Sequence, residues 1–319
     1  MIIHSTKNNK DVAVEINELT EDIVIEKKTW LEFYDAKPET LKLISDKTNI
    51  PLDFLLSSLD EEESARIDND EGAVLIVLDV PCKAEDGSDT YITNPFIIAY
   101  NDDYFITIDR FKTTLIQSFL TKTRSIQPAK HVRFTLNLIY QLSREFISKL
   151  RKIDLMTKDI EKRLHSATKN KEIFNMMDLN KSLVYFSTAL SADKAVLAKL
   201  LKSQAYKKYE DDFELMEDTE VELNQAIEMC TIYRDILSGM IDSFASIISN
   251  NLNIVMKTLT VITIVISIPT LIASIYGMNV QLPLQDNKNG FIIVISVALF
   301  LSILCAIGLI LITNKTRRK

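Results

Sequence analysis

The sequence predicts an α+β protein with an N-terminal α/β domain, a long helical stalk and two C-terminal transmembrane helices. Three observations support this fold class. Apolar runs with strand periodicity, separated by turn residues, fill the chain from residue 11 to about residue 125. Between Pro128 and Pro269 the chain has no proline and Gly239 is its one glycine, which is typical of long helices. Residues 258–276 and 291–313 carry no charged side chain.

Residues 1–128 are predicted to form the α/β domain. Val12, Val14 and Ile16 alternate with polar residues, as in a half-buried strand. Short helices are expected to begin near Pro38 and Pro51. Further strands are predicted at 30–34, 73–80, 91–100 and 104–109, with Asp86 and Gly87 as a hairpin turn between two of them.

Residues 129–208 are predicted to form an antiparallel pair of helices. A turn at 169–171 separates the first helix from a second that runs from about Ile173 to Tyr206. The first helix has an apolar stripe at helical spacing. It consists of Ile139, Leu142, Phe146, Ile153, Met156, Ile160 and Leu164.

Residues 209–276 are predicted to form one stalk helix that starts near Glu210. Its last part, about 257–276, is the first transmembrane helix. Its apolar positions recur at steps of three and four residues, at Leu237, Met240, Ile241, Phe244, Ile248, Leu252, Val255 and Leu259. A helix of this length needs partners to cover such a stripe, so the chain is expected to be a homo-oligomer.

The two uncharged runs are long enough to cross the bilayer. A core of about 30 Å requires about 20 helical residues. Residues 277–290 are then a short loop, 291–313 the second transmembrane helix, and 314–319 a basic tail. Positive charge at Lys257 and in the tail places both termini in the cytoplasm and the loop outside the plasma (inner) membrane. The alternative, a buried hairpin of a soluble protein, requires core helices of unusual length.

Composition excludes several classes of function. The chain has 44 acidic and 37 basic residues, an excess that argues against nucleic acid as a partner. Its three cysteines and three histidines are scattered, which argues against a disulfide framework and a histidine zinc site. None of its six glycines forms a phosphate-binding loop. No nucleophile, base and orienting group can be combined from its motifs, so an enzyme is not expected and no catalytic residue is assigned.

The first span carries a polar stripe on one helix face. Leu259, Thr263, Ser267, Thr270, Ser274 and Gly277 follow at intervals of three or four residues. Small residues of this kind allow membrane helices to pack closely. They can also line a wet pathway, with Met256 and Leu259 as a hydrophobic neck at its inner end. One helix cannot enclose a pore, so this second interpretation requires several copies around an axis.

Gly277, Met278 and Asn279 follow the first of the two spans directly. In this position the motif resembles that of the CorA family of divalent-cation transporters. The segment from Ser238 to Asp242 also resembles that family. The resemblance implies a funnel-shaped homopentamer in the lipid bilayer that transports Mg²⁺, with Co²⁺, Ni²⁺ or Zn²⁺ as further candidate ions.

The same resemblance implies roles for individual residues. Met256, Leu259, Ser267, Thr270 and Asn279 match the family's pore-facing positions, with Gly277, Met278 and Asn279 as the selectivity filter. An amide ring at Asn279 can accept hydrogen bonds from the waters of hydrated Mg²⁺, and Gly277 is expected to allow a tight turn. The alternative for Asn279 is an ordinary helix cap.

The chain departs from the family pattern at two of these sites. Ser267 stands where the family often has methionine, which predicts a wider or more polar pore. The outer loop keeps Pro283 but has no glutamate after it, so Asp286 is the candidate for an outer negative ring.

A regulatory metal site is also implied by the resemblance. Asp242 matches the aspartate of the family's cytosolic site, whose partner acid comes from the neighbouring subunit. The expected partner position holds Ser57, and Asp60 and Glu61 are the nearest alternative acids.

The leading functional hypothesis is passive Mg²⁺ uptake driven by the membrane potential. Moving two charges inward across 100 mV releases about 4.6 kcal/mol, so no nucleotide is needed. One alternative is a proton-coupled zinc transporter of the ZntB branch. Another is a membrane-anchored sensor or scaffold that does not conduct, for which neither the hydroxyl stripe nor the Gly-Met-Asn motif is needed.

Overall fold

The fold is taken from a computed structural model. It describes residues 1–7, 10–15, 23–84, 90–111, 113–122, 127–166, 170–203, 212–279, 282–284 and 289–317. The chain divides into two compact units, residues 1–241 and 242–319. The seven strands are β1 (Ile2–Lys7), β2 (Lys10–Glu15), β3 (Thr29–Tyr34), β4 (Arg66–Asp70), β5 (Ala73–Lys83), β6 (Tyr91–Tyr100) and β7 (Tyr104–Asp109). The helices are α1 (Pro38–Thr48), α2 (Leu52–Leu56), α3 (Leu115–Lys122), α4 (His131–Ser166), α5 (Asn170–Lys202), α6 (Phe213–Tyr276) and α7 (Gly290–Arg317).

The first unit is built on a seven-stranded sheet of order β2-β1-β3-β7-β6-β5-β4. Every neighbouring pair is antiparallel except β3 and β7, which are parallel. Strands β5, β6 and β7 are rich in β-branched and aromatic residues, which explains their strand formation. The α/β architecture of the N-terminal domain is therefore confirmed.

Helices cover both faces of the sheet because successive strand residues point to opposite sides. On one face Leu31 and Phe33 of β3 join a buried apolar cluster with α1 and α2. On the other face Trp30 contacts Phe119 of α3 and Phe134 of α4 edge-on. Trp30 is fully buried, and its indole N–H donates a 2.8 Å hydrogen bond to Thr107 of β7.

Several local expectations change. Strands β1 and β4 and helix α3 were not predicted, although α3 has apolar residues at helical spacing, namely Leu115, Ile116, Phe119 and Leu120. The first helix of the predicted pair ends at Ser166, and the second begins at Asn170, so the turn predicted at 169–171 is wrong at Asn170 and Lys171. Val14 is half exposed on the edge strand β2. The turn predicted at Asp86 and Gly87 lies outside the described residues.

Helices α4 and α6 match their predicted periodicity. The α4 stripe is buried throughout, apart from partly buried Met156. Helix α6 runs without a break from Phe213 to Tyr276, as the absence of proline before residue 269 predicts. It contains Pro269 near its end. Helix α7 extends to Arg317, beyond the predicted end of the second apolar run.

The second unit contains the C-terminal part of α6 and all of α7. Among the described residues, α6 and α7 are the two helices long and apolar enough to cross a membrane, by length and composition. The two apolar C-terminal helices are thus present as predicted.

Candidate functional site

Three of the four hydroxyl groups of the polar stripe are bound to their own helix. Thr263 donates to the Leu259 carbonyl at 2.8 Å, Ser267 to the Thr263 carbonyl at 2.7 Å, and Thr270 to the Ile266 carbonyl at 2.8 Å. Each donor is therefore directed at the backbone, and the oxygen lone pairs remain available. The stripe offers hydrogen-bond acceptors, which suit the waters around a cation.

The stripe lies on the side of α6 opposite to α7. The residues of α6 that are partly covered in the single chain lie on one face: Val261, Val265, Ile268, Pro269 and Ile272. Val265 and Ser274 are nine residues apart, which is two and a half turns at about 3.6 residues per turn, so they lie on opposite faces of the helix. The stripe residues Met256, Leu259, Thr263, Ser267, Thr270 and Ser274 are all exposed. Helix α7 therefore leaves the stripe free for another partner.

Helix α7 meets α6 through a narrow face of small residues. Ala298 and Ser302 are buried, and Ser302 donates a 2.9 Å hydrogen bond to the Val265 carbonyl. The large apolar residues of α7, such as Phe291 and Phe300, point away and are exposed, as expected for side chains that face lipid. Sequence reasoning missed Ser302. Pro269 could have indicated it, because a proline removes one backbone donor from the span and so leaves a carbonyl that needs another donor.

The Gly-Met-Asn segment follows the last turn of α6. The Gly277 N–H donates to the Ala273 carbonyl at 3.0 Å, and the Met278 N–H donates to the Ile275 carbonyl at 3.1 Å. The Tyr276 hydroxyl donates to the Pro283 carbonyl at 3.2 Å, which ties the loop to the helix end. Asn279 is exposed, and within the described residues no hydrogen bond holds its amide. Its side chain is free to face a ligand.

The turn that follows α6 does not require glycine at Gly277. Its backbone is not left-handed, and a Cβ built there would lie 3.5 Å from the Ala273 and Ser274 carbonyl oxygens, an ordinary contact. The helix therefore ends here without a glycine-specific turn. The close approach occurs instead at Gly290, where an added Cβ would collide with the Leu284 carbonyl oxygen.

The candidate regulatory acids differ in their surroundings. Asp242 is exposed on α6. Glu61 forms an ion pair with Arg110 at 3.0 Å, and Asp60 accepts the Glu62 backbone N–H at 2.9 Å. Within the described part of the chain, no three His, Cys, Asp or Glu residues cluster as metal ligands. Asp286 lies outside the described residues.

Residues 26–315 match the family model described as CorA-like Mg²⁺ transporter protein. A curated relative, the cobalt/magnesium transport protein CorA of Methanocaldococcus jannaschii, is 29% identical over 273 residues, which cover 84% of this chain and 85% of the relative.

Solved structures agree with the family match. The complete structure of the CorA magnesium transporter from M. jannaschii matches with a TM-score of 0.79 and 26% identity, over 98% of this chain and 96% of that one. The ZntB cytoplasmic domain from Vibrio parahaemolyticus matches with a TM-score of 0.59 and 12% identity, over 79% and 98%. This second match shows a shared fold alone. From the family match, which spans most of its length, the chain belongs to the CorA family of Mg²⁺ transporter proteins.

Proposed function

We propose that the chain forms a homopentameric pore for passive Mg²⁺ uptake, driven by the membrane potential and gated by intracellular divalent cations. Membership of the family makes it a CorA-type divalent-cation transporter and not an enzyme. The pore, its five-fold symmetry, its driving force and its gate are the proposal. Both termini lie in the cytoplasm in this proposal, because basic residues flank the inner ends of the spans.

The observation that carries the proposal is the free polar stripe on α6. Its hydroxyl oxygens lie opposite to α7 and stay uncovered in the single chain. In a bilayer, a polar face turned toward lipid would be unfavourable. Five copies of α6 around an axis would turn the stripes inward and leave α7 outside. Met256 and Leu259 would then form the hydrophobic neck, and Thr263, Ser267, Thr270 and Ser274 the wetter section beyond it.

The stalk supports assembly independently. The stripe residues Leu252 and Val255 are 61% and 62% exposed in the single chain. They precede Lys257, where the bilayer is expected to begin, so lipid does not cover them. Large apolar side chains that are exposed side by side in water are typical of an interface between protein copies. Neighbouring stalk helices are the partners we propose.

The outer mouth would select hydrated Mg²⁺. Mg²⁺ loses its waters reluctantly, so a ring of five Asn279 amides that binds those waters suits it better than a carboxylate cage. The unbound amide of Asn279 is available for this role, with Gly277 and Met278 forming the rest of the filter. Asp286 is proposed as the outer negative ring that attracts cations.

The regulatory site would lie between subunits. Asp242 is exposed on the stalk and can face a neighbouring subunit. Glu61 already pairs with Arg110, so Asp60 is the simpler partner, and Glu61 would have to exchange Arg110 for the ion. A bound divalent cation would relieve repulsion between the acids and favour the closed state.

Purified protein in liposomes tests the function. Uptake of Mg²⁺, Co²⁺, Ni²⁺ and Zn²⁺ would be measured at fixed membrane potential, with and without a proton gradient. Mg²⁺ uptake that follows the potential and ignores the proton gradient is expected. Zinc uptake that requires the gradient would support the ZntB-type alternative. If none of the four ions is taken up, the non-conducting membrane anchor is the remaining alternative.

A further inference from the structure

Pro269 creates a backbone problem in the middle of the first span. Proline has no N–H, so the carbonyl of Val265, four residues earlier, loses its partner in the helix. Water is not available in the hydrocarbon core to take that place. A donor must come from elsewhere.

Ser302 of α7 supplies the donor. Its side-chain oxygen lies 2.9 Å from the Val265 carbonyl oxygen, and the residue is only 4% exposed. Thr263, Ser267 and Thr270 bond to carbonyls of their own helix four residues back. Ser302 instead reaches across to the other helix and meets the carbonyl that Pro269 leaves unpaired. The donor Ser302 and the acceptor carbonyl of Val265 are 37 positions apart in the sequence, and each supplies what the other needs.

The packing is looser on the outward side of this contact. A cavity of about 190 Å³ lies there between the helices. It is lined by Pro269, Ile272, Ala273, Val294, Ile295, Ala298 and Leu299. The hydrogen bond thus ties the two helices just inward of Pro269, and apolar space separates them just outward of it. The outer part of α6, which contains Thr270 and Ser274 and precedes Asn279, joins the inner part at this point.

We propose that Ser302 is a positioning residue for ion conduction. By pairing with the Val265 carbonyl it holds α6 at Pro269, and so fixes the outer half of the polar stripe relative to the inner half. Without the bond the carbonyl has no donor, and the outer segment can bend into the cavity. The inference rests on the proposed function, since the stripe must line the pathway for its alignment to affect transport.

A double-mutant cycle tests the mechanism. Four proteins are compared in liposomes: wild type, Ser302→Ala, Pro269→Ala and the double variant. Ser302→Ala should lower the Mg²⁺ uptake rate about three- to tenfold, the factor that corresponds to the net contribution of one hydrogen bond. Alanine at 269 restores the backbone N–H. The further change Ser302→Ala should then alter the rate less than twofold, measured against Pro269→Ala.

Ser296→Ala is the matched control, because Ser296 is an exposed serine on the same helix. It should conduct within twofold of wild type. The inference is overturned if Ser302→Ala matches this control, or if Ser302→Ala has the same effect with proline or alanine at 269. An equal effect in both backgrounds would mean that Ser302 acts by packing alone.

Thermal unfolding of the same four proteins separates this inference from the proposed function. If wild type conducts none of the ions, the proposed pore is wrong and so is a positioning role in conduction. The melting temperatures then still report whether the bond couples Pro269 and Ser302. If Ser302→Ala fails to fold, the double variant decides. Recovery of folding supports the pairing, and continued failure overturns it.

Discussion

The backbone N–H of Asp79 donates a 3.0 Å hydrogen bond to the carboxylate of Asp193, which α5 places over strand β5. Strand β4 pairs with β5 only as far as Val77, so a side chain takes this donor beyond the end of β4. Asp193 is fully buried, and its second carboxylate oxygen has no partner among the described residues. Burial raises the pKa of Asp193 well above its usual range, with a further contribution from the charge of Asp79. Burial also raises the pKa of Asp79 to about 6.

This acid pair predicts that the protein loses stability as pH rises. In the unfolded chain both carboxyls release their protons near pH 3.9, whereas the folded chain holds them to higher pH. The stabilising contribution is therefore complete below about pH 4. It declines as pH rises through about 6, where Asp79 ionises, and declines further as Asp193 ionises. Melting temperature measured from pH 4 to pH 8 in detergent should follow this direction.

Asp193→Asn tests the assignment, because an amide oxygen can still accept the Asp79 N–H but cannot ionise. Relative to wild type, the variant should become more stable as pH rises from 5 to 8, because the amide does not ionise. Asp235→Asn, at an exposed carboxyl on α6, is the control and should leave the pH dependence unchanged. Parallel curves for wild type and Asp193→Asn would show that the pair does not set the slope.

Asn279→Ala should abolish Mg²⁺ uptake and leave stability near that of wild type. The side chain is exposed and supports no described contact, so its loss acts on the ion and not on the fold. Uptake in liposomes and melting temperature check the two halves of the prediction. Asn69→Ala, at an exposed asparagine of β4, should affect neither quantity. Normal uptake by Asn279→Ala would rule out the selectivity ring.

The solubilised protein should have the mass of five copies of the 36.4 kDa chain, about 180 kDa. Val255→Glu should shift the mass distribution toward smaller species, because it places a charge on the apolar stalk stripe. Asn250→Glu puts the same charge on the opposite side of the helix and should leave the mass unchanged. Light scattering coupled to gel filtration measures all three. A monomer or dimer that still conducts would contradict the axial pore.

Asp242→Ala should weaken inhibition by internal Mg²⁺. If Asp242 helps hold an inhibitory ion, its loss raises open probability at millimolar internal Mg²⁺ and leaves Asn279-dependent selectivity intact. Patch recordings at stepped internal Mg²⁺ give the inhibition curve. Combination with Asp60→Ala or Glu61→Ala in double-mutant cycles identifies the partner acid. An inhibition curve identical to that of wild type would remove Asp242 from the gate.

Gly290→Ala should lower stability, by about 1–3 kcal/mol, because the new Cβ would collide with the Leu284 carbonyl oxygen. Gly308→Ala, on the same helix, meets nothing within 4 Å in the single chain and is the control. Gly277→Ala should leave the melting temperature of the fold close to wild type, since its Cβ makes ordinary contacts. A larger loss at Gly277 than at Gly290 would contradict this ranking.

Sequence periodicity was sufficient wherever local chemistry decided the structure. Most of helix α6 follows from a stretch with no proline before Pro269, and strands β5 to β7 follow from β-branched and aromatic runs. The hydroxyl stripe was visible from its spacing, because residues at steps of three and four share a helix face. Gly277 does not have the left-handed backbone that glycine often adopts after a helix, because the residue type alone does not fix the backbone angles.

The sequence alone determined two apolar helices, a long stalk helix, an α/β domain and a motif typical of one transporter family. Each depends on residues close together in the chain. The tertiary structure decided which face of α6 meets α7, and hence which face remains free. It also paired β3 with β7 in parallel, Asp79 with Asp193, and Ser302 with the Val265 carbonyl. These contacts join distant residues, so no local pattern of hydrophobicity or propensity could specify them.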